Sequence, residues 1–436
     1  MGQTFACLAV IFIEEEFDMN TQLIPKLIKI KQILPGIKLF NIRDVIFEEV
    51  QKVGFSLKPG SRIAIAVGSR GIANISDITK AIVDVVKYSG GIPFIVPAMG
   101  SHGGADAKGQ SEVLKSYGVT EEYLNVPIKS SMDVVEIYSD DTSYKIYMDK
   151  LAFEADGVIV VNRIKVHTDY HGPTESGLLK MLVIGLGNHR QATEVHRYGV
   201  YGLKEMIPQF ARQIIKHGNI VLGVGIVENA YDETMIIKAI LPDYIEKEEI
   251  ELLKISRKNM PSLPTDTLDV LIVDRIGKDI SGTGLDTNIV GRIRIDTEKD
   301  PDIPRIKRIV ITDLTQGSHG NAVGMGIADF MTERLKKKID FKATYENVVT
   351  ATFVERGKMP IVATSDRIAV EYALKTCGPI KPENAKIIRI KDTLHLNTMY
   401  VSSAVLDEIK DNQNIEVIGD FIEMFDNEGQ LVNVEL

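Results

Sequence analysis

The strongest constraint on this chain is a repeated alternation between short β-branched runs and segments with apolar residues at helical spacing. Arg62 to Val67 (RIAIAV) ends in Gly68-Ser69-Arg70-Gly71, and Ile75 to Tyr88 then shows a helical pattern behind Ser76, a cap candidate. Ile92 to Pro97 reads as a second strand, running into Ala98-Met99-Gly100-Ser101-His102-Gly103-Gly104 before a helical pattern at Lys108 to Tyr117. Asp156 to Val161 and Ile220 to Ile226 repeat the strand-then-loop order, with helices expected near 175–187, 190–198 and 203–217. Such alternation predicts an α/β fold whose sheets are mainly parallel and covered on both faces. Ligands of these sheets gather beyond the carboxyl ends of the strands. Arg70, His102, His167 and Lys180 each follow a predicted strand.

At 436 residues the chain exceeds one ordinary core, which predicts two α/β domains with a cleft between them. A charged helix over 241–260 and the break Pro261-Ser262-Leu263-Pro264 place the boundary, giving domains 1–264 and 265–412. The second block is expected to hold strands at 270–273, 308–311, 361–363 and 387–390, with helices near 322–337, 367–376 and 402–409. The tail, about 413–436, is expected to pack on the N-terminal domain, since a short terminal element is rarely stable alone.

Composition narrows the function classes. A net charge of −9 with scattered basic residues argues against nucleic acid, which needs a concentrated basic face. Cys7 and Cys377 lie far apart with no CxxC spacing, so neither a disulfide framework nor a thiolate zinc site is implied, and a reducing cytoplasm fits. No apolar stretch reaches the roughly eighteen residues of a membrane span. Phe5 to Ile13 is apolar but lacks a positive flank and runs into Glu14-Glu15-Glu16, unlike a signal peptide. It reads either as an edge strand or as part of an extension ahead of a start at Met19.

The pentad Ser176-Gly177-Leu178-Leu179-Lys180 is preceded by His167 and followed, sixteen residues after the lysine, by His196. A lysine near a helix start can link covalently to a carbonyl-type cofactor group, and a histidine can ligate a metal. Together they suggest a tethered metal cofactor; the plainer alternative is solvated or capping histidines around a buried helix. Glu175 to Leu178 could cradle a mononucleotide phosphate, or could simply cap. The Gly-x-Gly fragments at 185–187, 223–225 and 324–326 do not complete a dinucleotide fingerprint, and there is no Walker A sequence. His167 and His171 stand at i and i+4, but Thr168 replaces the glutamate of HExxH, and Gly172-Pro173 oppose a helix. Arg70, between Ser69 and Gly71, suits a carboxylate, or is a surface arginine. His102 suits a general acid or base, or is an ordinary turn residue. Loops 281–288, followed by Arg292 and Arg294, and 315–321 could close over a cleft, or be turns with caps.

Taken in order, GSRGI (68–72), GSHGG (100–104), His167 ahead of SGLLK (176–180), and His196 resemble the nickel-dependent lactate racemase family. The resemblance implies a two-domain α/β protein whose N-terminal domain holds a nickel-pincer nucleotide. Lys180 would be its attachment point through a thioamide and His196 the protein ligand to nickel, with Ser176, Gly177 and Arg70 beside the cofactor. His102 and His167 would be paired acid/base residues, and Arg70 would grip the substrate carboxylate. The implied reaction inverts C2 of a 2-hydroxy acid by hydride loss and return, which requires a base on each face. The enzymes that make the cofactor would be partners.

Departures from the family pattern are Val67 where lactate racemases carry an acidic residue, and LDTNIVGR (285–292) in place of a tyrosine- and glutamine-rich segment. A longer region around His167 leaves His171 as an alternative base. The substrate is therefore expected to be a larger 2-hydroxy acid such as an aldonate, met by Thr283, Asp286, Asn288, Arg292 and Arg294. Two other readings stay open: a cofactor-free nucleotide- or anion-binding protein, and a zinc hydrolase using His167, His171 and His196.

Overall fold

The computed structural model describes residues 24–68, 71–140, 144–434 and 436. The apolar run at Phe5 to Ile13, Met19 and Arg70 fall outside them. The described strands are β1 (Leu27–Gln32), β2 (Arg62–Val67), β3 (Ile92–Pro97), β4 (Val134–Ile137), β5 (Ile146–Asp149), β6 (Gly157–Arg163), β7 (Ile220–Glu228), β8 (Thr234–Ile240), β9 (Thr267–Val273), β10 (Arg305–Ile311), β11 (Phe330–Thr332), β12 (Ile361–Ala363), β13 (Ile387–Ile390), β14 (Thr398–Ser402) and β15 (Ile415–Ile422).

A five-stranded sheet runs in the order β3-β2-β6-β7-β8, parallel throughout except for β8, which returns antiparallel beside β7. Its strands read as near-continuous apolar runs because both faces are covered. Along β2 the side chains alternate between two cores. Ile63, Ile65 and Val67 pack towards helix Ile75–Tyr88, whereas Ala64 and Ala66 face Leu178, Leu182 and Val183. The small alanines let the segment that bears Lys180 lie close to the sheet. Helix Ile75–Tyr88 matches its expected bounds, but its cap is Asn74, in left-handed backbone at φ 59°, with Ser76 one residue inside the helix.

The eight-stranded sheet has the order β12-β11-β10-β9-β13-β14-β1-β15. From β12 to β13 it is parallel; β14, β1 and β15 add antiparallel pairs. Both sheets are therefore mainly parallel, and the fold is mixed α/β as the alternation predicted. The tail behaves differently from expectation. Its strand β15 pairs with β1 in the larger sheet, and Met424 and Phe425 bury beside Leu27 and Val270. β1 itself, although early in the chain, sits between β14 and β15. It is short and interrupted by Lys29 and Lys31, so no apolar run marks it.

The helix expected over 322–337 is instead a 3₁₀ turn at Met325–Ile327, strand β11, and a short helix at Glu333–Lys337. Gly324 sits at φ 94°, and a Cβ there would meet the Thr283 carbonyl at 1.7 Å. That backbone contact breaks the helical pattern and steers Phe330 to Thr332 between β10 and β12.

Because Phe425 is 7% exposed and holds the tail against the larger sheet, Phe425→Ala should cost about 3 kcal/mol of stability. Urea denaturation of the two proteins measures this directly.

Candidate functional site

The loop after β6 is closed at its base by a two-residue ladder. Lys165 N–H donates to the Ser176 carbonyl at 2.8 Å and Ser176 N–H to the Lys165 carbonyl at 3.2 Å. Inside it the Glu175 carboxylate, fully buried, accepts from His167 N–H at 2.6 Å, Gly172 N–H at 3.2 Å and Arg257 Nη2 at 2.5 Å. A buried carboxylate with this many donors is a rigid anchor. His167 is thereby presented across the loop, its ring 4.7 Å from the buried Tyr170 ring, whose hydroxyl donates to the Glu175 carbonyl at 3.2 Å. His167 Nε2 lies 2.7 Å from Lys180 Nζ. Its other nitrogen, Nδ1, accepts the backbone N–H of Asp169 at 3.1 Å. Burial first, then the positive charges of Lys180, Lys165 and Arg356, hold the His167 pKa well below its ordinary value, against the pull of Asp169.

Lys180 ends a short helical turn, Leu178–Lys180, that passes into a π-helical turn, Met181–Gly185, and then into helix Asn188–His196. Glu249 controls its start. Its buried carboxylate accepts Leu179 N–H at 2.9 Å and also bonds Leu178 N–H. A Cβ on Gly177 would meet that carboxylate at 2.4 to 2.7 Å and displace it from the Leu179 amide. Asn162 Nδ2 donates to the Gly177 carbonyl at 2.8 Å. The expected phosphate cradle at Ser176-Gly177 is thus largely occupied by the protein's own acceptors. The Ser176 amide serves the Lys165 carbonyl, and the Leu178 and Leu179 amides serve Glu249, so three of the amides around this turn are already paired within the protein.

The glycines downstream have a packing reason rather than a nucleotide one. A Cβ on Gly185 would meet the Ala98 carbonyl at 2.8 Å, and one on Gly187 the Val183 carbonyl at 2.3 Å. Gly100 N–H donates to the Gly185 carbonyl at 3.3 Å. This backbone contact brings the loop that carries His102 alongside the π turn next to Lys180; single π turns are often found at functional sites. His102 is exposed on that loop. His196, at the end of the helix, has an exposed surface yet is crowded enough that burial, and secondarily the Lys180 charge, lower its pKa. Its imidazole is kept neutral, the form that ligates metals.

Five residues of the second block reach towards this loop or were expected to. Arg356, 2% exposed, places Nη1 2.5 Å from Asp169 Oδ1 and Nη2 2.9 Å from the Thr168 carbonyl, and donates through Nε to the Ile293 carbonyl. Burial opposes the charge on Asp169, but His167 and Arg356 outweigh it and bring its pKa below the usual carboxylate value. Thr287 Oγ1 donates to the Thr168 carbonyl at 2.6 Å, and Asn288 Nδ2 to the His167 carbonyl at 3.2 Å. Asn288 therefore braces the His167 loop, its amide also held by Asp286 at 3.0 Å. Arg292 is corrected outright as a substrate group. Its guanidinium is buried on Asp329 and the carbonyls of Ile327, Ile306 and Lys307, which use its donors internally. Arg294 is exposed, in left-handed backbone at φ 53°.

Among the described residues no group of three His, Cys, Asp or Glu side chains could hold a metal ion. The zinc-hydrolase reading fails on this, since the His167 ring faces Lys180 while His171 Nδ1 faces Glu175 at 3.3 Å. No helix among them is long and apolar enough to cross a membrane.

Similarity to solved structures follows the same frame. A lactate racemase apoprotein from Thermoanaerobacterium thermosaccharolyticum aligns over 84% of this chain and 98% of its own, with TM-score 0.50 and 14% identity. The chain shares that fold. A Thermotoga maritima protein aligns over 83% and 99%, with TM-score 0.51 and 13% identity. A family described as a domain of unknown function, DUF362, matches residues 67–236, which include His102, His167, Lys180 and His196. No curated protein matches the chain.

Sequence reasoning missed Glu249 and Arg356. Glu249 did leave a signal: it stands on the buried stripe Ile245, Glu249, Leu252, Leu253, Ser256 of an amphipathic helix, where an apolar residue belongs. A lone buried arginine such as Arg356 leaves none. Burial raises the Glu249 pKa from 4.5 to about 7, against the Leu179 and Leu178 N–H groups. The folded state then keeps a proton that the unfolded chain has lost, so this contribution is full below about pH 4.5 and disappears as pH rises through about 7. Its size is about 3 kcal/mol. Glu249→Gln should remove that slope, measured as the denaturation midpoint between pH 5 and pH 8.

Proposed function

We propose that this protein is a 2-hydroxy acid racemase or epimerase that works with a Lys180-linked nickel-pincer nucleotide. The observation that carries the reading is the 2.7 Å approach of Lys180 Nζ to His167 Nε2. An amine able to form a covalent link and an imidazole able to move a proton meet at the carboxyl ends of the strands.

The residues present fit such a group. Lys180 supplies the amine for the link, and His196 supplies a neutral imidazole for the metal. One protein ligand suffices where the cofactor brings its own donors, so the absence of a three-residue metal cluster is no obstacle. When bound, the group supplies a hydride acceptor, which avoids placing a second negative charge beside the substrate carboxylate.

The chain's own residues do the rest. His167 takes the substrate hydroxyl proton at Nε2 when its own ring proton sits on Nδ1, the side that faces the Asp169 carboxylate, and Lys180 Nζ is engaged by the link. The Asp169 carboxylate, 3.8 Å from Nδ1, stabilises the imidazolium formed when His167 takes that proton. Arg356, Thr287 and Asn288 hold the loop in place. His102 serves as the second proton carrier and Arg70 pairs with the substrate carboxylate. Of the groups expected to meet a larger substrate, Thr283 bonds the Leu285 carbonyl, Asp286 caps the turn Thr287–Val290, and Asn288 and Arg292 are committed as described. Arg294 remains as the candidate. A substrate larger than lactate is supported mainly by Val67 and the 285–292 segment.

Co-expression with the cofactor-synthesis enzymes should yield protein carrying a nickel-containing adduct of nucleotide size, seen by intact mass and metal analysis. It should erode the optical purity of at least one acid from a panel of lactate, aldonates and dicarboxylic hydroxy acids. Lys180→Ala should lose both the adduct and at least about 10³-fold in rate. Unmodified mass without nickel, in a host where a control racemase is active, would move the assignment to a cofactor-free binding protein.

A further inference from the structure

The larger sheet has a crevice of its own. From β9 the chain builds β10, β11 and β12 on one side, then returns as β13 on the other. The carboxyl ends of β9 and β13 therefore flank a point where the connections diverge, the usual place for a ligand in such sheets. Arg275 stands two residues past β9 and Asp392 two past β13. Asp392 is fully buried. Its Oδ2 accepts from Arg275 Nε at 3.0 Å and Nη2 at 2.9 Å, and its Oδ1 from the Leu394 and His395 N–H groups, each at 3.0 Å. His395 Nδ1 lies 2.7 Å from the same Oδ1. With N–H donors on both oxygens the carboxylate acts as an acceptor throughout, so Nδ1 carries a hydrogen and Nε2 is the ring nitrogen left for a ligand. The side chains of Arg275 and His395 are 40% and 46% exposed. Among the described residues, Arg275 Nη1 and His395 Nε2 have no protein partner. Arg292, Arg356 and Arg389, by contrast, spend their donors inside the protein.

We infer that Arg275 and His395, both fixed on the Asp392 carboxylate, form a subsite for a distal hydroxyl of the substrate. The assignment rests on the racemase reading and narrows its substrate to polyhydroxylated 2-hydroxy acids. A short series of bonds joins the subsite to the His167 loop. Thr393, next to Asp392, accepts the Asp286 N–H at 2.9 Å, Asp286 holds Asn288, and Asn288 Nδ2 donates to the His167 carbonyl at 3.2 Å. A substrate whose first two carbons sit at His167 meets this loop only through a longer carbon chain. A hydroxyl there accepts from Nη1 and donates to Nε2, or accepts from both when Nε2 is protonated, so it is satisfied in either state of His395. A second carboxylate is served less well. Asp392 already cancels the charge of Arg275, and an unprotonated Nε2 would face the carboxylate with a lone pair.

The test measures binding of gluconate, galactonate, lactate and malate by isothermal titration calorimetry, on the full chain purified without the cofactor-synthesis enzymes. Turnover of the same acids is followed on chain co-expressed with them. The better-bound aldonate should bind at least about tenfold tighter than lactate or malate. His395→Asn keeps a donor for Asp392 but has no Nε2, and Arg275→Met keeps the stem without the donors; thermal melting checks the fold of each. Each should weaken the aldonate about tenfold and leave lactate within about twofold, as expected for loss of one hydrogen bond. His395→Gln, which places an amide near the Nε2 position, should lose less than His395→Asn. In the loaded enzyme the same losses should appear in kcat/KM for the aldonate and not for lactate. Aldonate binding no tighter than lactate, malate bound more tightly than either aldonate, or aldonate affinity unchanged in His395→Asn would each overturn the subsite. Its failure is distinguishable from failure of the racemase reading. Aldonate binding that His395→Asn weakens, with neither adduct nor turnover after co-expression, sinks only the racemase. Turnover of lactate with no preference for an aldonate sinks only the subsite.

Discussion

The site depends on one buried carboxylate, Glu249, set against the first amides of the turn that carries Lys180. Helix starts carry unsatisfied N–H groups and a partial positive charge, and an acceptor there fixes where the helix begins. With glycine at 177 the Glu249 carboxylate keeps that position undisplaced, and the turn presses onto the alanine side of β2. The same choice explains why the Leu178 and Leu179 amides, which look open to phosphate in sequence, are paired within the folded protein.

A second constraint joins the two sheets. The His167 loop grows from the smaller sheet, but its carbonyls and Asp169 are bonded by Arg356, Thr287 and Asn288 from the second block. Arg356 is almost wholly buried, and a guanidinium in that setting must have its donors and charge answered. It answers them with the loop that positions His167. The contact between the blocks and the placement of His167 therefore rest on the same set of bonds.

The limits of sequence reading show in particular residues. β2, β3 and helix Ile75–Tyr88 were legible because their apolar periodicity is uninterrupted. β1 and β15 were not, since one is broken by lysines and the other is largely exposed at a sheet edge. Their pairing links residues nearly 400 positions apart, which no local pattern encodes. Gly324 hid β11 in the same way, through a contact with Thr283.

The amino-acid sequence by itself determined the α/β class, the parallel core of the smaller sheet, and the placement of His102, His167 and Lys180 after strands. These follow from local periodicity and from the chemistry of the residue types. Only the tertiary structure decided that Arg292 is buried on Asp329 and backbone carbonyls, that Asn288 bonds the His167 carbonyl, that the tail joins β1, and that His167 Nε2 meets Lys180. Those outcomes depend on which distant groups share a low-dielectric interior, where each donor must find an acceptor and each charge a partner.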